Sequence, residues 1–411
     1  MIELKEIEEK VILVSAVVEE EDAEASLDEL EELSKTAGAV VCGRIIQRRE
    51  APHPGTYLGK GKLQELKCLI FETEANGIVC DDELSSVQIY KLEQELDVKV
   101  MDRTLVILDI FAARALSSEG KLQVELAQLR YRAAHLAGMG TKLSRLGGGI
   151  GTRGPGEKKL EVDRRRIRKR ISQLKHQLSE IRQHRNLVHE RRERSPLKIA
   201  ALVGYSNVGK SSCLNALTNA EILSDDMLFA TLDPTTRVME LSHGQQILLT
   251  DTVGFIRKLP HQLVEAFRST LEELLYADII VHVVDVSNPQ RDMQMRVVYD
   301  TLRELGVKEK PVVTLFNKQD RLLSPEIPRD LRADYSIGIS AKTGMGLEEF
   351  KQALEEILRR DQVYIERIIP YDKGGLLQML RENGQLLEEE YLAQGVAVKA
   401  YVPKSLYFQI F

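Results

Sequence analysis

The sequence Ala201-Leu-Val-Gly-Tyr-Ser-Asn-Val-Gly-Lys-Ser211 decides the fold of the region around it. From Gly204 to Ser211 it matches G-x-x-x-x-G-K-[ST], the pattern of the phosphate-binding P-loop. The apolar run 199–203 before the loop predicts a buried strand, and residues 212–219 after it predict a helix. A strand, a glycine-rich loop and a helix in this order form an anion site, because loop N–H groups and the helix N-terminus converge.

Each P-loop residue type has a physical role. Gly204 and Gly209 let the backbone approach phosphate oxygens closely. Lys210 is expected to reach the β- and γ-phosphates, and Ser211 to ligate Mg²⁺. A chance glycine-rich turn is the alternative interpretation, and the flanking strand and helix weigh against it.

Further motifs follow in the order that a nucleotide-binding domain requires. Residues 229–237, Phe-Ala-Thr-Leu-Asp-Pro-Thr-Thr-Arg, predict a loop that offers threonine hydroxyls to Mg²⁺. Asp251 ends an apolar strand, which places its carboxylate near the metal. Gly254, the last residue of Asp-Thr-Val-Gly, is expected to donate a backbone N–H to the γ-phosphate.

The base is predicted to bind at two later strand ends. Asn317-Lys-Gln-Asp320 follows an apolar strand, and ligands of α/β sheets bind at that end of a strand. The Asp320 carboxylate can accept from guanine N1–H and the 2-amino group, a donor pair that adenine lacks. Residues 340–342, Ser-Ala-Lys, can offer a backbone N–H to the guanine carbonyl. His282, within the apolar strand 279–285, is expected to be a core histidine rather than a ligand.

Length and composition limit the class of protein. A chain of 411 residues predicts about three domains, and 43% apolar residues can bury real cores. No apolar run approaches the ~20 residues that span a bilayer, and the N-terminus has no signal-peptide block. The cysteines lack metal or disulfide spacing. We expect a cytoplasmic protein, with peripheral association with a membrane left open.

One segment of the chain is strongly basic. Residues 130–194 contain nineteen Lys/Arg and six Asp/Glu, whereas the rest of the chain contains 38 basic and 57 acidic residues. The chain as a whole has a net charge of −6. This asymmetry predicts an arm that binds anions, carried by an acidic body.

The basic segment is predicted to be a helical hairpin. Leu122, Leu126, Leu129, Ala133 and Leu136 are spaced as a coiled-coil seam, and so are Ile167, Ile171, Leu174, Leu178 and Ile181. Two such helices most simply pair antiparallel. The tip, residues 145–157, contains six glycines, and Pro155 is expected to block a helix there. A dinucleotide fingerprint in the tip is rejected, because no strand precedes it.

The basic residues favour nucleic acid, above all structured RNA read through its phosphates, over a solvated helix face. The alternative is weaker because few acids balance these charges. The candidate RNA contacts are Arg145, Arg153, Lys158, Lys159, Arg164, Arg165 and Arg166.

The ends of the chain predict two smaller domains. Strand and helix signals alternate from Val11 to Asp109, which indicates a small parallel α/β sheet. Within it, the acidic triplet 81–83 is expected to be a solvated helix start rather than a metal site. After Asp361 a strand, a helix and two strands predict an α+β unit. The domains are therefore predicted at 1–110, 111–194, 195–360 and 361–411.

The motifs together resemble the HflX family of ribosome-associated GTPases. The resemblance rests on residues 57–62 (Tyr-Leu-Gly-Lys-Gly-Lys), 102–104 (Asp-Arg-Thr), 147–156, 229–237 and 251–255. It covers nearly the whole chain. It implies an α/β fold with a Ras-like GTPase domain, preceded by a parallel α/β domain and an antiparallel hairpin and followed by a small α+β domain. It also implies binding to the large ribosomal subunit and its rRNA near the peptidyl-transferase region, and splitting or rescue of ribosomes, notably under heat stress.

The resemblance transfers roles to individual residues. Lys210, Thr231 and Gly254 would be catalytic, and Ser211 and Thr231 would ligate Mg²⁺, with Thr235 and Thr236 as alternatives to Thr231. The P-loop helix departs from many relatives at Ser212 and Cys213, both after the metal ligand. The GTP or GDP site would comprise Gly204, Tyr205, Ser206, Asn207, Val208, Gly209, Lys210, Ser211, Phe229, Ala230, Thr231, Leu232, Asp233, Asp251, Thr252, Val253, Gly254, Asn317, Lys318, Gln319, Asp320, Ser340, Ala341 and Lys342.

Hydrolysis is predicted to be slow without a partner. Ras orients the attacking water with a Gln after its Asp-x-x-Gly, and here that position is Phe255. A bound ribosome could supply the missing part by ordering the switches. K⁺ bound through Asn207 is a second source of activation, and the alternative is that Asn207 only shapes the loop.

Other functions stay open from the sequence alone. They are a GTPase with a non-ribosomal target, in RNA modification or membrane-protease regulation, and an ATP-using RNA helicase. Asp320 argues against a preference for adenine. Nothing in the sequence requires more than a monomer.

Overall fold

A computed structural model describes residues 8–17, 20–143, 155–193, 197–218, 228–229, 234–241, 245–258, 271, 273–324, 327–360, 362–403 and 407. The chain forms two compact units. The first comprises Met1–His184 with the short segments Asp226–Asp233 and Arg257–Ser269. The second comprises Arg185–Asp225, Pro234–Ile256 and Thr270–Phe411. The four predicted domain boundaries remain a prediction.

The first unit contains the predicted parallel α/β sheet. Its strands pair in the order β2-β1-β3-β4, all parallel. Strands β1 and β3 are almost wholly buried, as their apolar sequences require for a sheet covered on both faces. The strands are β1 Lys10–Val17, β2 Val40–Arg48, β3 Gly77–Cys80 and β4 Lys99–Asp102, and the helices that alternate with them are α1 Glu20–Thr36, α2 Lys60–Thr73 and α3 Ser86–Leu96.

The loop after β3 differs from its prediction. Helix α3 begins at Ser86, where Ser85 and Gln88 form a capping box that satisfies two backbone N–H groups. The acidic triplet therefore precedes the helix start. Asp81 is fully buried, and Asp82 accepts a hydrogen bond from the Tyr57 hydroxyl at 2.6 Å. The expectation of a solvated helix start is wrong for these two residues.

The hairpin helices run antiparallel, as predicted. After α4 Arg103–Arg114 come α5 Ser118–Leu143 and α6 Pro155–Glu193. Arg170 pairs with Glu125 at 2.7 Å, and Arg164 Nη2 donates to the Leu136 carbonyl at 2.6 Å. Residue numbers thus rise along one helix as they fall along the other.

The start of α6 corrects the predicted tip. Pro155 is the first residue of the helix, a position that needs no backbone N–H, so proline does not block it. The predicted tip at 145–157 therefore extends too far. Residues 144–154, which include Arg145 and Arg153, lie outside the described residues.

The predicted seams are only partly buried. On α5 the buried apolar residues are Val124, Leu126, Ala127 and Tyr131, and on α6 Leu174 is fully buried while the other seam residues are half-buried. Helix α5 contacts α3 and α4, so its buried face is shared between these helices and the hairpin partner. The regular leucine spacing does not reveal this division.

The second unit contains a six-stranded sheet in the order β10-β9-β8-β5-β7-β6. All pairs are parallel except β6 with β7. Because β6 begins at Thr235, the end of the segment predicted as a loop is an edge strand. The strands are β5 Ile199–Gly204, β6 Thr235–Glu240, β7 Gln246–Asp251, β8 Ile279–Asp285, β9 Val312–Asn317 and β10 Tyr335–Gly338.

The C-terminal part of the second unit is the predicted α+β element. Three antiparallel strands pair in the order β11-β13-β12, and the helix Gly374–Asn383 packs on one face through the fully buried Leu380. The strands are β11 Gln362–Ile369, β12 Gln385–Leu392 and β13 Gly395–Pro403. Among the described residues, no helix combines the length and apolar character that crossing a membrane requires.

Candidate nucleotide-binding site

The P-loop joins β5 to helix α7, Lys210–Thr218. Gly204 and Gly209 have φ values of +156° and +93°. A Cβ on Gly204 would lie 2.3 Å from the Val283 carbonyl oxygen, and one on Gly209 would lie 2.4 Å from Asn317 Nδ2. Both positions therefore require glycine, for backbone conformation and for space.

The P-loop lysine is buried. The Lys210 side chain donates to the carbonyl oxygens of Tyr205 at 2.8 Å and Gly204 at 3.3 Å. Burial lowers its pKa to about 8. A phosphate at this position would receive the same ammonium group in a site of low polarity, where charge–charge attraction is strong.

The donor set for a divalent cation lies beside the P-loop. The Ser211 hydroxyl donates to Asp251 Oδ2 at 2.7 Å, at the buried end of β7. Hydroxyl and carboxylate oxygens are the ligands that Mg²⁺ prefers, so these residues fit that ion. Of the threonine candidates, Thr235 lies opposite Asp251 in the β6/β7 register, and the Thr236 hydroxyl is 3.0 Å from that of Thr250.

Part of the predicted switch is not described. Phe229 is buried, with φ of +56°, and contacts the Phe111 ring at a centroid distance of 4.7 Å. Residues 230–233, which include Thr231, lie outside the described residues. The assignment of Thr231 to Mg²⁺ therefore stays a prediction.

The loop after β7 lies directly against the P-loop. A Cβ on Gly254 would be 2.8 Å from Ser206 Cα and 2.9 Å from Lys210 Nζ. The Ser206 N–H donates to the Phe255 carbonyl at 2.7 Å, and the Phe255 N–H donates to the Gly204 carbonyl at 3.1 Å. We call residues 251–255 the closing loop, because these contacts hold it over the P-loop.

The motif after β9 connects the loops of the site through hydrogen bonds. Asn317 Nδ2 donates to the Val208 carbonyl at 2.9 Å, and its Oδ1 accepts from the Ala341 N–H at 3.0 Å. Lys318 Nζ donates to the Asn207 carbonyl at 2.8 Å and pairs with Asp285 at 2.7 Å. Three loops at one edge of the sheet are thereby fixed relative to one another.

The residue predicted to select the guanine base is accessible to a ligand. Asp320 is exposed, and its Oδ1 accepts from the Ser340 hydroxyl at 2.7 Å. That hydrogen bond lowers the pKa of Asp320, so the carboxylate is ionised at neutral pH. The structure brings Gln319, Asp320 and residues 340–342 to the same sheet edge as the P-loop.

Known protein families match the segments that contain these motifs. Family models match residues 24–112 (GTP-binding GTPase N-terminal), 114–192 (GTP-binding GTPase Middle Region) and 199–318 (50S ribosome-binding GTPase). The chain is 62% identical to "GTPase HflX" of Lacrimispora saccharolytica over 408 residues, covering 99% of this chain and 96% of that protein. The chain belongs to the HflX family of GTPases.

More distant HflX proteins match over similar lengths. The identity to "GTPase HflX" of Escherichia coli is 38%, covering 96% of this chain and 93% of that protein. Among solved structures, one described as "SsGBP and GDP complex" is 25% identical, covers 85% of this chain and 98% of its own, and has a TM-score of 0.49.

The predicted RNA contacts of this HflX chain differ in their surroundings. Arg165 and Arg166 have side chains that are 81% and 78% exposed on α6. Arg164 is half-buried and donates to the Leu136 carbonyl, so it also braces the hairpin. The side chains of Lys158 and Lys159 lie outside the described residues.

The sequence analysis did not predict one cluster of charged residues. Asp81, Arg103 and Lys258 form a network of ion pairs in the first unit. Arg103 is 1% exposed although it starts a largely apolar helix. A charged residue in that position was the available signal, because arginine is almost never fully buried unless it is paired.

His282 is a core residue, as predicted. It is 1% exposed on β8 and packs edge-on against Tyr299. Burial lowers its pKa to about 4, so it is neutral at physiological pH.

Proposed function

We propose that this protein is a Mg²⁺-dependent GTP hydrolase that binds the large ribosomal subunit and remodels or splits ribosomes, including under heat stress. The observation that carries the nucleotide assignment is the exposed, ionised Asp320, held by Ser340 at the same sheet edge as the P-loop. The match of residues 199–318 to the 50S ribosome-binding GTPase model supports the partner. We expect a cytoplasmic monomer.

The chain's own residues supply the phosphate chemistry. Lys210 and the Gly254 N–H would stabilise charge on the γ-phosphate, and Ser211 with Thr231 would hold Mg²⁺. When bound, that ion neutralises charge that develops on the phosphate oxygens. The burial of Lys210 strengthens its attraction for phosphate, because less water screens it.

Water activation is the missing part. The Phe255 side chain is 2% exposed and packs among Val203 and Leu274, so it cannot orient a water molecule. Basal hydrolysis should therefore be slow and should rise when the ribosome orders the switches. Asn207 has φ of +63° and its carbonyl accepts from Lys318, which supports a shaping role. Equal rates in KCl and NaCl would confine it to that role, and faster hydrolysis in KCl would favour a K⁺ site.

The hairpin is proposed to contact rRNA. Among the described residues, Arg165 and Arg166 contact acids of their own helix at 3.9 Å each. Such exposed pairs are weak, so the guanidinium groups can exchange them for phosphates. Phosphate contacts predict binding that weakens steeply as salt increases.

The test is co-sedimentation with isolated large subunits in the presence of a non-hydrolysable GTP analogue, GDP or no nucleotide. Binding should be strongest with the GTP analogue. Binding that shows no preference for the GTP form would contradict the proposal.

A charge-reversal pair tests the hairpin. Arg165→Glu with Arg166→Glu should abolish subunit binding and stimulated hydrolysis while leaving basal GTP binding intact. Arg164 is left unchanged, because its loss would disturb the hairpin itself. Arg296→Glu with Lys308→Glu, at exposed positions of the second unit, is the control with the same change in charge. Persistence of stimulation in the hairpin variant would refute the RNA-binding arm.

A further inference from the structure

A cavity of about 310 Å³ lies at the edge of the six-stranded sheet opposite the candidate nucleotide site. The nucleotide motifs follow the carboxyl ends of the strands, whereas the cavity lies where strands begin. Val312 is the first residue of β9, and Ile280 is the second residue of β8. Every residue that lines the cavity belongs to the second unit. The volume is typical of a ligand pocket and, at ~30 Å³ per atom, holds about ten non-hydrogen atoms.

The floor of the cavity is apolar. Ile280 and Leu302 are buried core residues, and Val307 and Val312 are half-buried beside them. These four side chains offer a ligand only carbon surface. A ligand that covers them must therefore carry an apolar part.

One wall of the cavity is the ring of Tyr299, which is held in place by its neighbours. Its hydroxyl donates to Asp330 Oδ2 at 2.5 Å, and the Thr314 hydroxyl donates to the same oxygen at 2.7 Å. The Arg332 guanidinium lies over the ring, 4.9 Å from its centroid. The aromatic wall and the cation beside it are thus arranged before any ligand arrives.

The loop between the helix Arg291–Glu304 and β9 also has a fixed shape. Gly306 has φ of +82°, and its N–H donates to the Arg303 carbonyl at 3.0 Å. The Val307 N–H donates to the Leu302 carbonyl, also at 3.0 Å. These two bonds form a Schellman motif, which turns the chain back at the end of a helix. The motif holds Val307 and Leu302 on the floor of the cavity.

The polar side chains of the cavity are mostly cationic. One is acidic and four are basic, namely Glu309, Arg303, Lys308, Lys310 and Arg332. Lys310 donates to three backbone carbonyl oxygens, and Arg303 pairs with Asp300 at 3.3 Å. Within the described part of the chain, neither Lys308 nor Arg332 pairs with an acid. The cavity therefore combines apolar surface with two cations that can accept an anionic partner.

We propose that this cavity binds a small amphipathic carboxylate, with its apolar body on the floor and its carboxylate at Arg332 and Lys308. A planar guanidinium suits a carboxylate, because it can donate two parallel hydrogen bonds. A neutral apolar ligand would leave both cations without a partner. A nucleotide fits less well, because the apolar floor offers no hydrogen bonds to the edges of a base. This ligand site is separate from the proposed GTP site.

The experiment is calorimetric titration of the full-length chain, saturated with GDP, with three probes. Octanoate has the size of the cavity and one carboxylate, and it should bind at a single site. Octan-1-ol keeps the apolar body without the charge, and it should bind about tenfold more weakly, the equivalent of one charge-assisted hydrogen bond. Acetate lacks the apolar body and should show no saturable binding.

Three variants locate the site. Arg332→Gln should weaken octanoate binding by about tenfold and leave octan-1-ol binding unchanged. Val307→Phe fills the cavity and should abolish binding of both probes. Arg329→Gln is the matched control, because Arg329 is exposed and does not line the cavity. Thermal unfolding shows whether each variant is folded, and the Arg332→Gln comparison stands by itself if Val307→Phe does not fold.

Four results would overturn the proposal. They are equal affinities for octanoate and octan-1-ol, equal losses of octanoate binding in Arg329→Gln and Arg332→Gln, full binding by a folded Val307→Phe, and octanoate binding only when GDP is absent. The last result would place octanoate in the nucleotide site. Failure of the wild-type protein to bind GTP would instead overturn the proposed function and leave the octanoate site standing.

Discussion

Each of the two α/β sheets places acidic residues at the carboxyl ends of parallel strands, but the surroundings of the two sets differ. In the second unit, Asp320 follows β9 and is exposed, and its carboxylate accepts a hydrogen bond from the Ser340 hydroxyl. In the first unit, Asp81 follows β3 and is fully buried among Arg103, Lys258 and Ser26. The same position in a sheet is therefore occupied by internal cations in the first unit and left exposed in the second.

The pKa values reflect this difference. Burial alone would raise the pKa of Asp81, but the charges of Arg103 and Lys258 lower it below its ordinary value. The pKa of Asp320 is also lowered, and there a single hydrogen bond from Ser340 is the main cause. A lowered pKa thus accompanies a buried ion pair in the first unit and an exposed carboxylate in the second.

Removing the buried cation should have the largest effect. Arg103→Met leaves Asp81 and Glu29 without their guanidinium, and breaking a buried pair this way costs about 3–5 kcal/mol of unfolding free energy. Urea denaturation measures the loss. Arg170→Met, which breaks an exposed pair with Glu125, is the control and should give no measurable change. Equal stability of the Arg103 variant would mean that the buried network is not structural.

Changing the exposed acid should alter selectivity instead of stability. Asp320→Asn removes the acceptor of two guanine N–H groups, and we expect about 100-fold weaker GTP binding from the loss of two hydrogen bonds to a charged group. Competition between GTP, ATP and xanthosine triphosphate measures it. Xanthine has a carbonyl where guanine has the amino group, so its nucleotide should bind the variant better. Unchanged competition would refute the role of Asp320.

His282, which is buried within β8, should make the stability of the chain depend on pH. The pKa of His282 is about 4 in the folded chain, below its ordinary value, so the unfolded chain binds more protons as the pH falls below 6.5. Its contribution to stability is complete above pH 6.5 and is lost as the pH falls towards 4. Between pH 7 and 5 the unfolding free energy should decrease by about 2 kcal/mol from this residue.

Variants isolate that contribution. His282→Leu should lose this part of the pH dependence. His176→Leu, at a histidine that is 75% exposed on α6, should retain it. Identical slopes for the wild-type protein and His282→Leu would show that other groups dominate.

The smallest expected effect on stability comes from replacing a glycine, and one glycine of each unit is compared. Gly61 is the second residue of α2, where a Cβ would meet nothing within 4 Å. Gly61→Ala should therefore stabilise the chain by about 0.5–1 kcal/mol, measured by denaturation. Gly209→Ala, whose Cβ would meet Asn317, should instead weaken nucleotide binding. Loss of nucleotide binding in Gly61→Ala would indicate that the glycine-rich start of α2 has a role in the site.

The sequence predicted most of the fold for a simple reason. Apolar runs between glycines and polar segments predicted both α/β sheets, and the C-terminal strand, helix and two strands follow in their predicted order. The candidate nucleotide site could be proposed from sequence because Gly204, Lys210, Asn317 and Asp320 belong to motifs with fixed local spacing. Two predictions were wrong: that Pro155 blocks a helix, and that the switch segment is a loop to its end. The start of a helix and the position of an edge strand depend on packing against other parts of the fold.

What the sequence alone determined is the set of residues predicted to recognise phosphate and guanine, since those residues are close in the chain or end adjacent strands. Only the tertiary structure decided the fate of the acidic triplet. Asp81 meets Arg103 from 22 residues away and Lys258 from 177 residues away. Whether a carboxylate is buried and paired, or exposed and accessible to a ligand, depends on which charges the fold brings to it. No local sequence pattern contains that information.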